Sequence, residues 1–62
     1  MKTVELEVAV VGSTDAAIKV DYGGKFAVWI PKSQISDYCG DSLEEAESIF
    51  IPEWLALEKG LI

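Results

Sequence analysis

Residues 3–30 read TVELEVAVVGSTDAAIKVDYGGKFAVWI, and the period of this stretch decides the fold class. From Thr3 to Val11, Val4, Leu6, Val8 and Val10 fall on one side, while Thr3, Glu5, Glu7 and Ala9 fall on the other. A two-residue period is that of a strand with one face on a core and one in water. Gly12-Ser13-Thr14-Asp15 then supplies turn chemistry, glycine for unusual dihedrals and Ser/Asp for local hydrogen bonds. Alternation resumes over Ala16–Tyr22, with Ile18, Val20 and Tyr22 inward and Lys19 and Asp21 outward. Gly23-Gly24 between two strand-like runs predicts a hairpin. Lys25–Ile30 follows, with Phe26, Val28 and Ile30 inward and Lys25, Ala27 and Trp29 outward. The stretch predicts a three-stranded antiparallel meander.

Beyond it, Pro31 cannot donate to a ladder and ends the third strand. Pro31–Ile35 predicts a single helical turn that folds Ile35 back onto the core. Residues 36–47 are polar and acidic. Ser42-Leu43-Glu44-Glu45 has the spacing of a capping box, but isolated short helices are marginal, so a helical turn and a loop both stay open there. Residues 48–51, Ser-Ile-Phe-Ile, predict a fourth strand. Pro52 suits the first turn of a helix, Glu53 complements its dipole, and Lys59 and Gly60 suit its end. Trp54, Leu57 and Leu61, widened by Leu55, form the apolar stripe of a helix over residues 52–59. The expected architecture is one mainly β domain spanning residues 1–62. It is a small, partly open antiparallel barrel of SH3-like or OB-like character, β-β-β-turn-β with one C-terminal helix. The predicted core is Val4, Leu6, Val8, Ile18, Val20, Phe26, Val28, Ile30, Ile35, Ile49, Leu55 and Leu57.

Composition limits what such a domain can do. Half of the 62 residues are hydrophobic, enough for a core, yet a chain this short buries only about 60 % of its unfolded surface. Cys39 is the only cysteine, so no internal disulfide staples it, and the absence of histidine removes the usual zinc sites. Stability must then come from packing or association, and a homodimer is expected to cover open strand edges and the two tryptophans. No run of about 18 apolar residues is present to cross a membrane. A lone thiol without an export signal points to the cytoplasm.

Enzymatic chemistry lacks its residues. No histidine serves as a base near neutral pH. The serines have no such partner, and Lys32 beside Ser33 on a turn is not the desolvated lysine that a serine–lysine pair needs. Cys39, between Tyr38 and Gly40, has no nearby cation in sequence to activate it. The acidic run from Asp37 to Glu45 lacks the loop spacing and central glycine of a calcium-binding hand. No metal and no cofactor are expected.

Three segments, residues 17–20 (AIKV), 28–35 (VWIPKSQI) and 51–61 (IPEWLALEKGL), together resemble a group of small bacteriophage and prophage domains. These occur alone or appended to other phage proteins. The resemblance covers about two thirds of the chain and implies a phage-derived β-domain working in a bacterial host cell. It carries over no activity and no functional residue. Where a short turn would follow Ile35 in that group, this chain has the longer acidic segment.

Binding is the function class that survives. The net charge is −6, from 11 acidic and 5 basic residues, and every basic residue is lysine. Such a chain lacks long-range attraction to phosphate and favours a basic partner surface. The first candidate site is the acidic segment, with Asp37, Asp41, Glu44, Glu45 and Glu47 for electrostatics and Tyr38 and Trp29 as aromatic anchors. Its carboxylates imitate phosphate and would occupy a basic groove on a larger protein, a strategy common among phage proteins that block host defence, so the phage resemblance favours inhibition of a host defence protein. The bland alternative is a solvated charge run that keeps a small protein dispersed. The second candidate is Trp29 with Lys19, Lys25 and Lys32, an aromatic among lysines suited to single-stranded nucleic acid or a nucleotide. Against it, Glu5, Glu7 and Asp21 share that outer face and would pair with the lysines, and Trp54, the helix or Phe50 would cover Trp29.

Overall fold

The alternation that starts at Thr3 is carried by two strands, not one. The computed structural model describes residues 2–62 and breaks that run at Val8, into β1 (Thr3–Glu7) and β2 (Ala9–Ser13). Val8 is buried, and its N–H donates to the Glu47 carbonyl at 3.1 Å instead of to a neighbouring strand. The chain changes sheets at this residue while Val4, Leu6, Val8 and Val10 all stay on the core side.

Two three-stranded antiparallel sheets result. In one, β1 and β5 (Asp37–Cys39) flank β6 (Ser48–Pro52); in the other, β2 and β4 (Val28–Pro31) flank β3 (Ala17–Asp21). The second sheet is the predicted meander, begun nine residues into the chain rather than at Thr3. The two sheets are not joined into a closed ladder. They share a single core whose least exposed large side chains are Ile18, Val20, Ile30, Ile49 and Ile51, each at 0 %. Register explains why these five are inside. Val10 faces Val20 and Val20 faces Val28, while Ile18 faces Ile30. In the other sheet Ile51 faces Val4, and Ile49 faces Leu6 and Tyr38. Residues opposite one another in an antiparallel pair lie on the same face, so the aliphatic rows stack into one apolar layer.

The turns differ from expectation in instructive ways. Gly12 and Ser13 belong to β2, and the reversal falls at Thr14–Ala17, where the Thr14 N–H donates to the Ala17 carbonyl at 2.8 Å. The Ala17 N–H returns to Thr14 Oγ1 at 3.1 Å. Gly23-Gly24 is not a two-residue hairpin. Residues 22–27 all lie between β3 and β4, and the Gly23 N–H donates to Asp21 Oδ1 at 2.9 Å. Phe26 consequently has no ladder to point it inward and is 72 % exposed, outside the core assigned to it. Pro31 ends β4, an edge strand, and Lys32–Gln34 forms the expected helical turn, which is 3-10 in geometry. Ile35 packs against the core, as predicted.

The acidic segment holds a strand that alternation did not reveal. Asp37, Tyr38 and Cys39 are all exposed, yet they pair with Phe50, Ile49 and Ser48. A 3-10 turn follows at Leu43–Glu45. Ser42 stands at its N-cap without a side-chain hydrogen bond, so the capping box is not formed. The turn closes through backbone alone, the Glu45 N–H donating to the Ser42 carbonyl at 3.1 Å.

The helix α1 (Glu53–Glu58) follows β6 directly, with Pro52 as its N-cap, and packs on β6 and β1. Its buried residues are Leu55 and Ala56. Trp54 and Leu57 are 48 % and 59 % exposed, which corrects the predicted stripe and removes Leu57 from the core. A helix of six residues is too short for an i, i+3, i+7 stripe. Leu61 instead returns past the helix end, its N–H donating to the Ala56 carbonyl at 2.8 Å, and packs against the core.

Candidate functional site

The strand register that builds the core also sorts the charges. On the outer face of the first sheet, Glu5, Phe50 and Asp37 form one row, and Glu7, Ser48 and Cys39 form the next. Ser48 is buried, and its hydroxyl donates to Glu5 Oε2 at 3.0 Å, which fixes that carboxylate against the sheet. Because the chain crosses to the second sheet at Val8, Glu5 and Glu7 come beside Ala9, Asp21, Tyr22 and Gly23. With Glu47 and Cys39 these residues line an open depression of about 820 Å³ at the junction of the sheets.

Four acidic residues, Glu5, Glu7, Asp21 and Glu47, therefore line one concavity. Ion pairs among the described residues are Lys2 with Glu53 at 3.2 Å and Lys32 with Glu44 at 3.5 Å. None of the four is in such a pair, so the cross-strand pairing expected of Glu5, Glu7 and Asp21 with Lys19 and Lys25 does not occur. Among the described residues, no three carboxylate or thiol groups converge closely enough to hold a metal ion.

The five carboxylates of the acidic segment are divided by the fold. Asp37 sits in β5 and accepts the Tyr38 N–H through Oδ1 at 2.8 Å. Glu47 reaches the depression, and its N–H donates to the Cys39 carbonyl at 2.7 Å. Asp41, Glu44 and Glu45 belong to the intervening excursion, where Glu44 pairs with Lys32. Tyr38 is 39 % exposed and lies on the Ile49 side of β5, opposite to Asp37. Trp29 is in the other sheet. The carboxylates that sequence reasoning missed as a site, Glu5, Glu7 and Asp21, were legible as outward positions of alternating strands. What was not legible was the change of sheet at Val8 that gathers them.

The second candidate cluster is partly assembled. Lys19 of β3 lies opposite Trp29 of β4, with Nζ 6.0 Å from the centre of the indole ring. On its other side Lys19 faces Gly12, just past a bulge that leaves Val11 without an opposite residue. A Cβ at Gly12 would lie 3.3 Å from the Lys19 Cβ and 4.0 Å from Trp29 Cη2, so glycine leaves room for both side chains. Trp29 remains 44 % exposed, and α1 lies on β1 and β6 rather than over it. Lys25 Nζ stands 5.7 Å from the ring centre of Phe26 in the adjacent connection.

No family model matches the chain, and no curated protein or solved structure matches it.

Proposed function

We propose that this chain is a non-enzymatic interaction module that sets its carboxylates against a basic surface of a larger protein, acting in a phage setting as an inhibitor of a host defence protein. The observation that carries the reading is the depression lined by Glu5, Glu7, Asp21 and Glu47, with Asp37 in the row of Glu5 and, among the described residues, no cation paired to any of the four. Unneutralised like charges around a concavity are unfavourable for the free protein and are relieved by a cationic partner. The phage setting rests on the resemblance of the AIKV, VWIPKSQI and IPEWLALEKGL segments, and the inhibitory role on the phosphate-like charge of the carboxylates in that setting. The non-enzymatic reading rests on the lack of histidine and of any activated nucleophile in the sequence. We also read the two sheets as halves of a partly open SH3-like or OB-like barrel, because β1 runs into β2 with only Val8 between them.

The test is affinity capture from a bacterial lysate with the full chain, compared with two neutralised variants. One carries Glu5→Gln, Glu7→Gln and Glu47→Gln; the other carries amide replacements at Asp37, Asp41, Glu44, Glu45 and Glu47. A partner held by the wild type should be captured at least about tenfold less by either variant, and less by the wild type as salt rises. A partner captured equally by all three proteins would sink the reading.

Self-association belongs to the same proposal. Trp54 and Leu57 stand outward on α1, and a second copy covering them would remove apolar area that a core of this size leaves in water. Sedimentation at tens of micromolar should give a dimer mass that reverts to monomer in the Trp54→Ser, Leu57→Ser variant. A monomer mass for the unmodified chain would end the dimer proposal.

A further inference from the structure

We infer that the outer face of β2-β3-β4 is a separate binding site for single-stranded nucleic acid, with Trp29 as the stacking side chain and Lys19, Lys25 and Lys32 beside the phosphates. The site adjoins the carboxylate depression through Asp21, which lies two residues from Lys19 on β3, and its charge is of the opposite sign. Residues 16–36 carry three of the five lysines and one carboxylate, Asp21, a local charge of +2. The other two lysines and ten carboxylates lie elsewhere in the chain. Lys19 is in β3, Lys25 in the connection from β3 to β4 and Lys32 in the turn after β4, so this part of an acidic protein has a local charge opposite to its net charge.

Two of the three lysines lie near aromatic rings. Lys19 Nζ is 6.0 Å from the Trp29 ring centre and Lys25 Nζ is 5.7 Å from that of Phe26. Among the described residues neither lysine is in an ion pair, although the chain has 11 acidic side chains to offer. Two exposed rings with an ammonium group beside each match the two parts of a nucleotide: a base stacks on the ring, and its phosphate meets the cation.

The register leaves room around Trp29. Besides Lys19 opposite it, the outward positions Gly12, Ala17 and Pro31 have small side chains. Any larger residue at Gly12 would crowd the Lys19 stem and approach the indole. Trp29 also stands on an edge strand, so no further strand overhangs it on that side. An exposed aromatic on a smooth sheet face is how several small β-domains stack bases without reading sequence.

Lys32 gives the site a link to the acidic excursion. Its Nζ is held by Glu44 at 3.5 Å, and a phosphate would have to compete with that carboxylate. Removing the charge of Glu44 should therefore tighten nucleic-acid binding, whereas it should weaken a basic protein partner. This opposite sign separates the present inference from the proposed function.

The experiment titrates the full chain with a labelled oligothymidylate of about ten nucleotides, within the usual site size of one small barrel, following anisotropy and tryptophan fluorescence at low salt. Saturable binding with quenching is expected. Trp29→Ala should weaken it by about tenfold or more, while Ile62→Ala, at an exposed position outside both proposed surfaces, leaves affinity unchanged. Circular dichroism of the Trp29→Ala protein establishes that it is folded, and Lys19→Gln provides a second, milder variant. With three lysines engaged, log K should fall against log salt with a slope of about −2, reduced by about 0.7 in Lys19→Gln. Glu44→Gln should raise affinity. Absence of binding at hundreds of micromolar protein would overturn the inference. So would quenching unaffected by Trp29→Ala, or stronger quenching by an oligo-arginine peptide than by the oligonucleotide.

Discussion

Ile49→Ala is expected to cost about 2–5 kcal/mol and to leave a large fraction of the chain unfolded at room temperature. Ile49 is 0 % exposed and sits in β6, the central strand of its sheet. It faces Leu6 on one side and Tyr38 on the other, so its side chain joins both edge strands to the core. Truncation removes buried methyl and methylene groups and leaves a void that β6 cannot close without disturbing two ladders. A domain of this length has a total stability of only about 3–9 kcal/mol, by the usual per-residue range. Urea denaturation followed by tryptophan fluorescence measures the loss. Leu57→Ala is the control, since Leu57 is 59 % exposed and its truncation should change stability by no more than about 0.5 kcal/mol. Equal losses for the two variants would show that the helix buries its Leu57 side and that the assigned core is wrong.

The contrast between those two leucine and isoleucine positions also shows where sequence reading stops. The strands with alternating side chains were visible because alternation is local: Ile18, Val20 and Ile30 can be placed inward from their neighbours alone. Val8 could not be recognised as a change of sheet. Its inward direction fits an unbroken strand, and what interrupts the strand is a hydrogen bond to Glu47, 39 positions away. β5 was invisible for a related reason. Asp37, Tyr38 and Cys39 have no buried face, and they form a strand because β6 presents a second edge that needs partners. In the helix, a periodic stripe outweighed the small side chain of Ala56, yet close packing on β6 and β1 selects the side that carries Leu55 and Ala56.

The candidate site divides along the same line. Lys19 and Trp29 were predicted on one face because they are outward residues of adjacent strands, and the register sets them opposite one another. The room that Gly12 leaves for them depends on the bulge at Val11, which no local pattern announces. The carboxylates illustrate the reverse case. Their number is plain in the sequence, where the run from Asp37 to Glu47 reads as one surface. The fold splits it and recruits Glu5, Glu7 and Asp21 to Glu47. Charge composition fixes the sign of a surface field, whereas long-range pairing fixes which charges share a concavity.

Gly40→Ala should be the most damaging single change outside the aliphatic core, with a loss of about 2–5 kcal/mol from backbone strain and overpacking together. Gly40 has φ +148°, within the range that side chains other than glycine rarely adopt. A Cβ there would also stand 2.8 Å from the Ala46 Cα and 2.8 Å from the Glu45 carbonyl oxygen. Both are backbone atoms, and Ala46 is only 4 % exposed, so neither can swing aside as a side chain would. Relief requires the excursion from Gly40 to Ala46 to open. That movement strains the bond from the Glu47 N–H to the Cys39 carbonyl and, through Glu47, the bond from the Val8 N–H that holds the change of sheet. Gly23→Ala isolates the dihedral part of the effect. Gly23 has φ +89° with nothing within 4 Å of the added carbon, so its substitution should cost only about 1–2 kcal/mol. Urea denaturation ranks the two variants, and amide hydrogen exchange at Val8 and Glu47 should quicken in the Gly40 variant alone. If Gly40→Ala proves no costlier than Gly23→Ala, and both amides stay protected, then the excursion is not braced against Gly40, and the placement of Glu47 beside Glu5 and Glu7 has to come from another contact.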